Sequence, residues 1–110
     1  MQYISGQYKF EAEMDALFIE TISTLREADV VLRNEVEWRA KARSIDEGNL
    51  RRLQEAARSF QVLAHALGVT MLFYPEGPDA LRQEVESLVD IFSDMVDQLE
   101  TMLASGQHMH

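Results

Sequence analysis

Few residues of this chain have the types and spacing that catalysis or metal binding requires. The histidines are His65, His108 and His110, and the 110 residues include no cysteine. The lack of cysteine excludes disulfides, thiolate metal sites and cysteine nucleophiles. His65 has no acidic residue three or four positions before it, so the Glu-x-x-His pair of dimetal bundles is missing. We therefore expect no enzymatic activity, no metal and no cofactor.

A row of carboxylates near the C-terminal end offers a second kind of chemistry. The row consists of Glu86, Asp90, Asp94 and Asp97. Its spacing differs from the Asp-x-Asp-x-Asp-Gly loop that supplies calcium with clustered oxygen ligands. The row indicates either a hydrated helix face or a surface that mimics nucleic-acid phosphates and attracts a basic protein.

The charge balance limits the possible partners. The chain has 10 Lys plus Arg and 19 Asp plus Glu, which gives a formal net charge of −9. Most of the excess lies in residues 75–110, where Arg82 is the one basic residue. Direct binding to nucleic acid is not expected, because that affinity comes largely from Lys and Arg. A protein partner or self-association is the leading interpretation.

The elements that carry these residues are predicted to be three helices in one domain, 1–110. Apolar residues recur at helical spacing over about 8–42, 45–74 and 78–104. A capping box, Ser44 to Glu47, marks the second start, and Pro78 with Asp79 marks the third. Gly68 is compatible with a C-cap or a helix interior, and we favour the interior. Residues 105–110 form a predicted disordered tail.

The apolar stripes predict an all-α fold, an antiparallel three-helix bundle with long first and third helices. The first stripe comprises Phe10, Met14, Leu17, Phe18, Ile22, Leu25, Ala28, Leu32 and Val36. Because a domain of this size hides only about 60–70% of its unfolded-chain surface, these faces exceed what a monomer can bury. We therefore expect a homodimer that completes the bundle.

Some of this apolar surface is predicted to bind a partner. The run Val69–Tyr74 is apolar on every side just before a turn, and Trp38 could anchor a contact or cover a loop. The predicted partner-binding residues are Trp38, Phe60, Leu63, Leu67, Val69, Leu72, Phe73 and Tyr74.

Two segments give the chain a resemblance to a known family. The segment 25–32, Leu-Arg-Glu-Ala-Asp-Val-Val-Leu, and the segment 60–69, Phe-Gln-Val-Leu-Ala-His-Ala-Leu-Gly-Val, lead to Tyr74-Pro75. Over about residues 11–76 the chain resembles the TraM-type antiactivators of bacterial quorum sensing. The resemblance implies a small, helical, often dimeric protein that binds a LuxR-type transcription factor and prevents its DNA binding.

The expected function is therefore that of a small acidic regulator that occludes a dimerisation or DNA-binding surface of a transcription factor. Two alternatives stay open: an acidic nucleic-acid mimic that acts through the carboxylate row, and a helical chaperone or structural subunit. The N-terminal residues lack the apolar segment of a secretory signal, and no apolar run reaches the roughly 18 residues of a membrane span. A cytoplasmic location is expected.

Overall fold

The computed structural model consists of three α-helices. It describes residues 2–42, 46–74 and 77–108, with side chains for residues 9–39, 41, 46–74 and 77–105. The helices are α1 (Gln2–Ala42), α2 (Glu47–Leu72) and α3 (Asp79–His108), and the described residues contain no strand. The all-α three-helix prediction is confirmed. The molecule measures 70 × 20 × 20 Å, because the 41 residues of α1 extend for about 60 Å.

The start of α2 differs from the predicted one. Asp46 is the N-cap, and its side chain accepts a hydrogen bond from the backbone N–H of Gly48 at 3.1 Å. This bond satisfies one of the backbone donors that a helix start leaves free. The predicted cap Ser44 lies outside the described residues. At the other end, the Phe73 N–H donates to the Thr70 carbonyl at 3.0 Å and closes the last turn.

The outer ends of α1 and α3 also differ from the sequence-based bounds. α1 begins at Gln2, six residues before the predicted start, and α3 continues to His108 instead of ending near residue 104. The predicted tail 105–110 therefore overlaps the last turn of α3. His110 lies outside the described residues. Pro78 immediately precedes α3, where its carbonyl accepts a hydrogen bond from the Leu81 N–H at 3.1 Å.

The closest helix pair is α2 with α3. Phe92 of α3 is fully buried, and its ring stacks on Phe60 of α2 with centroids 5.7 Å apart. Beside this pair, the Gln61 amide donates to the Ser93 hydroxyl at 2.9 Å. These contacts set the rotation of α2 and place Gly68 against Val85. Phe92 belongs to the buried core, and the partly buried Phe60 packs against it.

α1 packs on this pair through one stripe. Its buried residues are Phe18, Ile22, Leu25, Asp29, Leu32 and Val36. The Phe18 ring lies 5.8 Å from the Tyr74 ring, so the N-terminal half of α1 lies beside the end of α2. Arg26 pairs with Glu84 of α3 at 2.7 Å. The stripe recurs every three or four residues, which is the spacing of one buried helix face.

A helix that crosses a bilayer needs about 20 predominantly apolar residues. None of the three, over its described residues, contains a stretch both long enough and apolar enough to cross a membrane.

The surroundings of two glycines give a first prediction. Gly68 lies inside α2, and a Cβ there would meet Val85 Cγ1 at an ordinary 3.5 Å. Gly68→Ala should therefore stabilise the fold by about 0.5–1 kcal/mol, through higher helix propensity. Gly77→Ala is the matched control: its Cβ would lie 3.3 Å from the Tyr74 carbonyl oxygen, so no gain is expected. Urea denaturation measures both, and a less stable Gly68→Ala would contradict an interior position for Gly68.

Candidate docking surface

Three of the predicted partner-binding residues belong to the core. Leu67 and Tyr74 are buried, and Phe60 is partly buried under the Phe92 ring. Their side chains are occupied by contacts inside the bundle. The periodicity of α2 explains the difference, because Phe60, Leu67 and Tyr74 are seven residues apart and share the inward stripe. They are corrected from docking residues to core residues.

The remaining predicted residues are exposed. These are Trp38, Leu63, Val69, Leu72 and Phe73, and Phe73 has the largest exposed fraction, 84%. Val69 and Phe73 belong to a line of exposed residues that we call the α2 outer face. This line consists of Val62, Ala66, Val69 and Phe73. The spacing of four, three and four residues repeats the periodicity of a helix-packing stripe, on the side turned away from the core.

α1 carries a second apolar line that was not predicted as a docking surface. We call it the α1 seam: Phe10, Leu17, Thr24, Val31 and Trp38, each seven residues after the last and all exposed. Phe10 and Leu17 are assigned to the core by the sequence-based stripe, but both are more than half exposed. The buried stripe repeats every seven residues as well, at Phe18, Leu25 and Leu32, so the sequence holds no signal that separates the two lines.

The α1 seam lies on the side of α1 that is remote from α3. Leu17 and Arg26 are nine residues apart, which at about 100° per residue places them on opposite sides of the helix. Because Arg26 pairs with Glu84, its side faces α3. In a three-helix arrangement the opposite flank borders α2. The seam therefore begins beside the groove between α1 and α2. It turns toward solvent at Val31 and Trp38, because a seven-residue repeat drifts by about 20° per step on a straight helix.

α2 contributes to the same groove. Gln61 faces α3 through its bond to Ser93, and Leu63 lies about 160° around the helix from Gln61. Leu63 thus points to the α1 side. From there the exposed apolar side chains continue around α2 to its outer face, which is turned away from the core. We call this combined area the docking surface.

The docking surface contains many large apolar side chains. Its large apolar side chains are Phe10, Leu17, Val31, Trp38, Val62, Leu63, Val69 and Phe73, with exposed fractions from 42% to 84%. Leu72 is also exposed, but it lies only about 20° around α2 from Gln61, on the side of α3. Single exposed apolar side chains are normal on a protein surface, whereas several neighbouring ones are typical of an interaction site.

The border of the seam is acidic. Glu13, Glu20 and Glu27 are all exposed and follow the same seven-residue repeat on the solvent side of the seam. At the far end, the Arg39 guanidinium lies 5.8 Å from the Trp38 ring centroid and donates to Glu35. A partner that covers the seam therefore meets a line of carboxylates along one edge.

The predicted carboxylate row is a separate surface on α3. Glu86, Asp90, Asp94 and Asp97 are all exposed, on the face of α3 opposite its buried residues. These four carboxylates lie on a hydrated face, and none of them forms an ion pair with a described side chain. His65 is exposed on α2. Within the described part of the chain, no group of three or more His, Cys, Asp and Glu side chains could hold a metal ion.

No family model, curated protein or solved structure matches the chain.

The division into core and docking surface is testable by truncation. Phe92→Ala should destabilise the fold by about 3–5 kcal/mol, because it opens a cavity in the core. Phe73→Ala should change stability by less than about 0.5 kcal/mol, since the ring is exposed. Urea denaturation followed by circular dichroism measures both. Equal losses would contradict the assignment of Phe73 to an open surface.

Proposed function

We propose that this protein is a regulator that binds another protein through its docking surface. The observation that carries the proposal is the set of large exposed apolar side chains on α1 and α2. Exposed apolar lines on two adjacent antiparallel helices are suited to an added helix, which would complete a four-helix arrangement. An amphipathic helix of the partner is the proposed occupant.

The acidic border favours a particular kind of helix. Glu13, Glu20 and Glu27 would face side chains at the edge of a helix lying on the seam, as flanking charges do in coiled coils. Lys or Arg at those edge positions gives favourable pairs, whereas Asp or Glu gives repulsion. An antiparallel pairing of two α1 seams would set glutamate against glutamate. This pattern favours a different protein over a second copy at the seam, and homodimer formation stays a prediction.

The proposed target is a LuxR-type transcription regulator in the cytoplasm. The support for this choice is the resemblance of residues 11–76 to TraM-type antiactivators. In that mechanism, apolar side chains of the docking surface cover a region that the regulator needs for dimerisation or DNA contact. A helical chaperone or structural subunit would use the same surface for a different purpose.

A pair of neighbouring valines gives a sharp test of the docking surface. Val31 lies on the seam and is 66% exposed, whereas Val30 is 53% exposed and lies off the seam. Val31→Glu should weaken partner binding about 100-fold or more, because it buries an unpaired carboxylate in an apolar contact. Val30→Glu should leave binding within about twofold, since its side chain stays in water.

The measurement is a tagged pull-down from lysate of the source organism, with retained proteins identified by mass spectrometry. The proposal expects one protein that the parent chain and Val30→Glu retain and Val31→Glu loses. A LuxR-type regulator as that protein supports the antiactivator mechanism. Equal retention by both valine variants contradicts the role of the seam.

The second candidate function is that of an acidic nucleic-acid mimic. It is favoured by the four exposed carboxylates of the row on α3, which lie on one helix face. Salt separates the two candidates, because exposed charge pairs are strongly screened at about 0.5 M and apolar contacts are not. A basic partner that is retained at about 0.15 M and lost at about 0.5 M salt would favour the mimic.

A further inference from the structure

The α2 outer face is symmetric about its own midpoint. Its residues Val62, Ala66, Val69 and Phe73 follow one another at intervals of four, three and four residues. Reversing the direction of the helix leaves this order of intervals unchanged. A second α2 lying antiparallel on the first therefore sets Val62 opposite Phe73 of the second copy, and Ala66 opposite Val69. A contact between two identical surfaces requires this kind of self-complementarity.

The paired residues also complement each other in size. Phe73 is 84% exposed and Val62 is 68% exposed, so a large ring meets a smaller branched side chain. Nearer the midpoint, the small side chain of Ala66 opposes Val69, which lets the two helix backbones approach each other. Both kinds of pair are apolar, and their contact removes exposed apolar surface of both copies from water.

The residues beside the face carry no negative charge. Residues 56–74 contain no Asp or Glu, although the whole chain has a net charge of −9. Two flanks border the face: the α3 side has Arg58, His65 and Leu72, and the α1 side has Leu63 and Thr70. In an antiparallel pair each flank meets the same flank of the second copy, so Leu72 meets His65 and Leu63 meets Thr70. No acidic residues are brought together, and the exposed Leu72 gains an apolar environment.

The α1 seam does not have this property. Its border of Glu13, Glu20 and Glu27 would face the same glutamates in an antiparallel copy, and like charges at these positions repel. The two apolar lines of the docking surface therefore suit different occupants. The acidic border selects against a second copy at the seam, whereas the flanks of the α2 outer face allow one.

We propose that a second copy of this chain covers the α2 outer face. The two α2 helices lie antiparallel, with a twofold axis level with the peptide between Leu67 and Gly68. The inference goes beyond the proposed function, because it divides the docking surface: the α2 outer face joins two copies, and each seam is left for the other protein. The dimer has two seams and hence two equivalent partner sites.

Two valines of nearly equal exposure provide matched variants. Val62 is 68% exposed on the α2 outer face, and Val31 is 66% exposed on the seam. Val62→Glu should weaken the dimer about 100-fold or more, because it buries an unpaired carboxylate against Phe73 of the second copy. Val31→Glu should leave dimer affinity within about twofold, since the seam lies outside this contact. Equal helical content by circular dichroism is the folding control.

Analytical ultracentrifugation of the full chain over a concentration series measures the dimer. A parent chain that is monomeric at about 0.5 mM overturns the proposal, and so does equal weakening by the two variants. The dimer should persist at about 0.5 M salt, because no ion pair is needed across the paired face. Dissociation at that salt concentration would show a contact between charges and would also overturn the proposal.

Disulfide crosslinking tests the antiparallel register, since the chain has no cysteine of its own. A mixture of Val62→Cys chains and Phe73→Cys chains should form a disulfide between the two variants, because the proposed pairing brings these positions together. Each variant alone should form none, because the pairing separates identical positions by eleven residues of helix, about 16 Å. A disulfide within one variant, or none in the mixture, overturns the register.

The pull-down separates this inference from the proposed function. Val62→Glu should still retain the protein that Val31→Glu loses, because the seam of the monomer is intact. Loss of that protein from a Val62→Glu chain that still dimerises would assign the α2 outer face to the other protein and overturn the inference. If the parent chain retains no protein but dimerises as expected, the proposed function fails and the self-association stands.

Discussion

The stacking of Phe60 on Phe92 between α2 and α3 is the contact on which the rest of the structure depends. It fixes the rotation of both helices about their axes, and the Gln61–Ser93 hydrogen bond maintains the same alignment. Once α2 is set in this rotation, Leu67 and Met71 face inward and Val62, Ala66, Val69 and Phe73 face outward. The docking surface is thus a consequence of the core packing of a helix that is apolar on two sides.

α1 has a different relation to the bundle. It is longer than either partner helix and contacts them through a single stripe around Leu25. One flank faces α3, where Arg26 pairs with Glu84, and the other flank carries the α1 seam.

Three helices and their stripes could be predicted from the sequence, because helix periodicity and turn residues such as Pro78 are local signals. The helix starts were less predictable. Asp46 and Ser44 are both suitable N-caps, and the backbone geometry that chooses between them depends on how the loop enters the helix. The candidate site was predictable only in part: Val69, Leu72 and Phe73 are exposed, whereas Phe60, Leu67 and Tyr74 turned inward.

The sequence by itself determined that the chain forms long amphipathic helices, that its acidic excess lies toward its end, and that it has more apolar surface than one small core can use. The tertiary structure decided which apolar line of each helix is buried. Phe18 and Leu17 are adjacent and both apolar, yet one is in the core and the other on the seam. That choice depends on the rotation of α1 against α2 and α3, which is set by contacts between residues far apart in the chain.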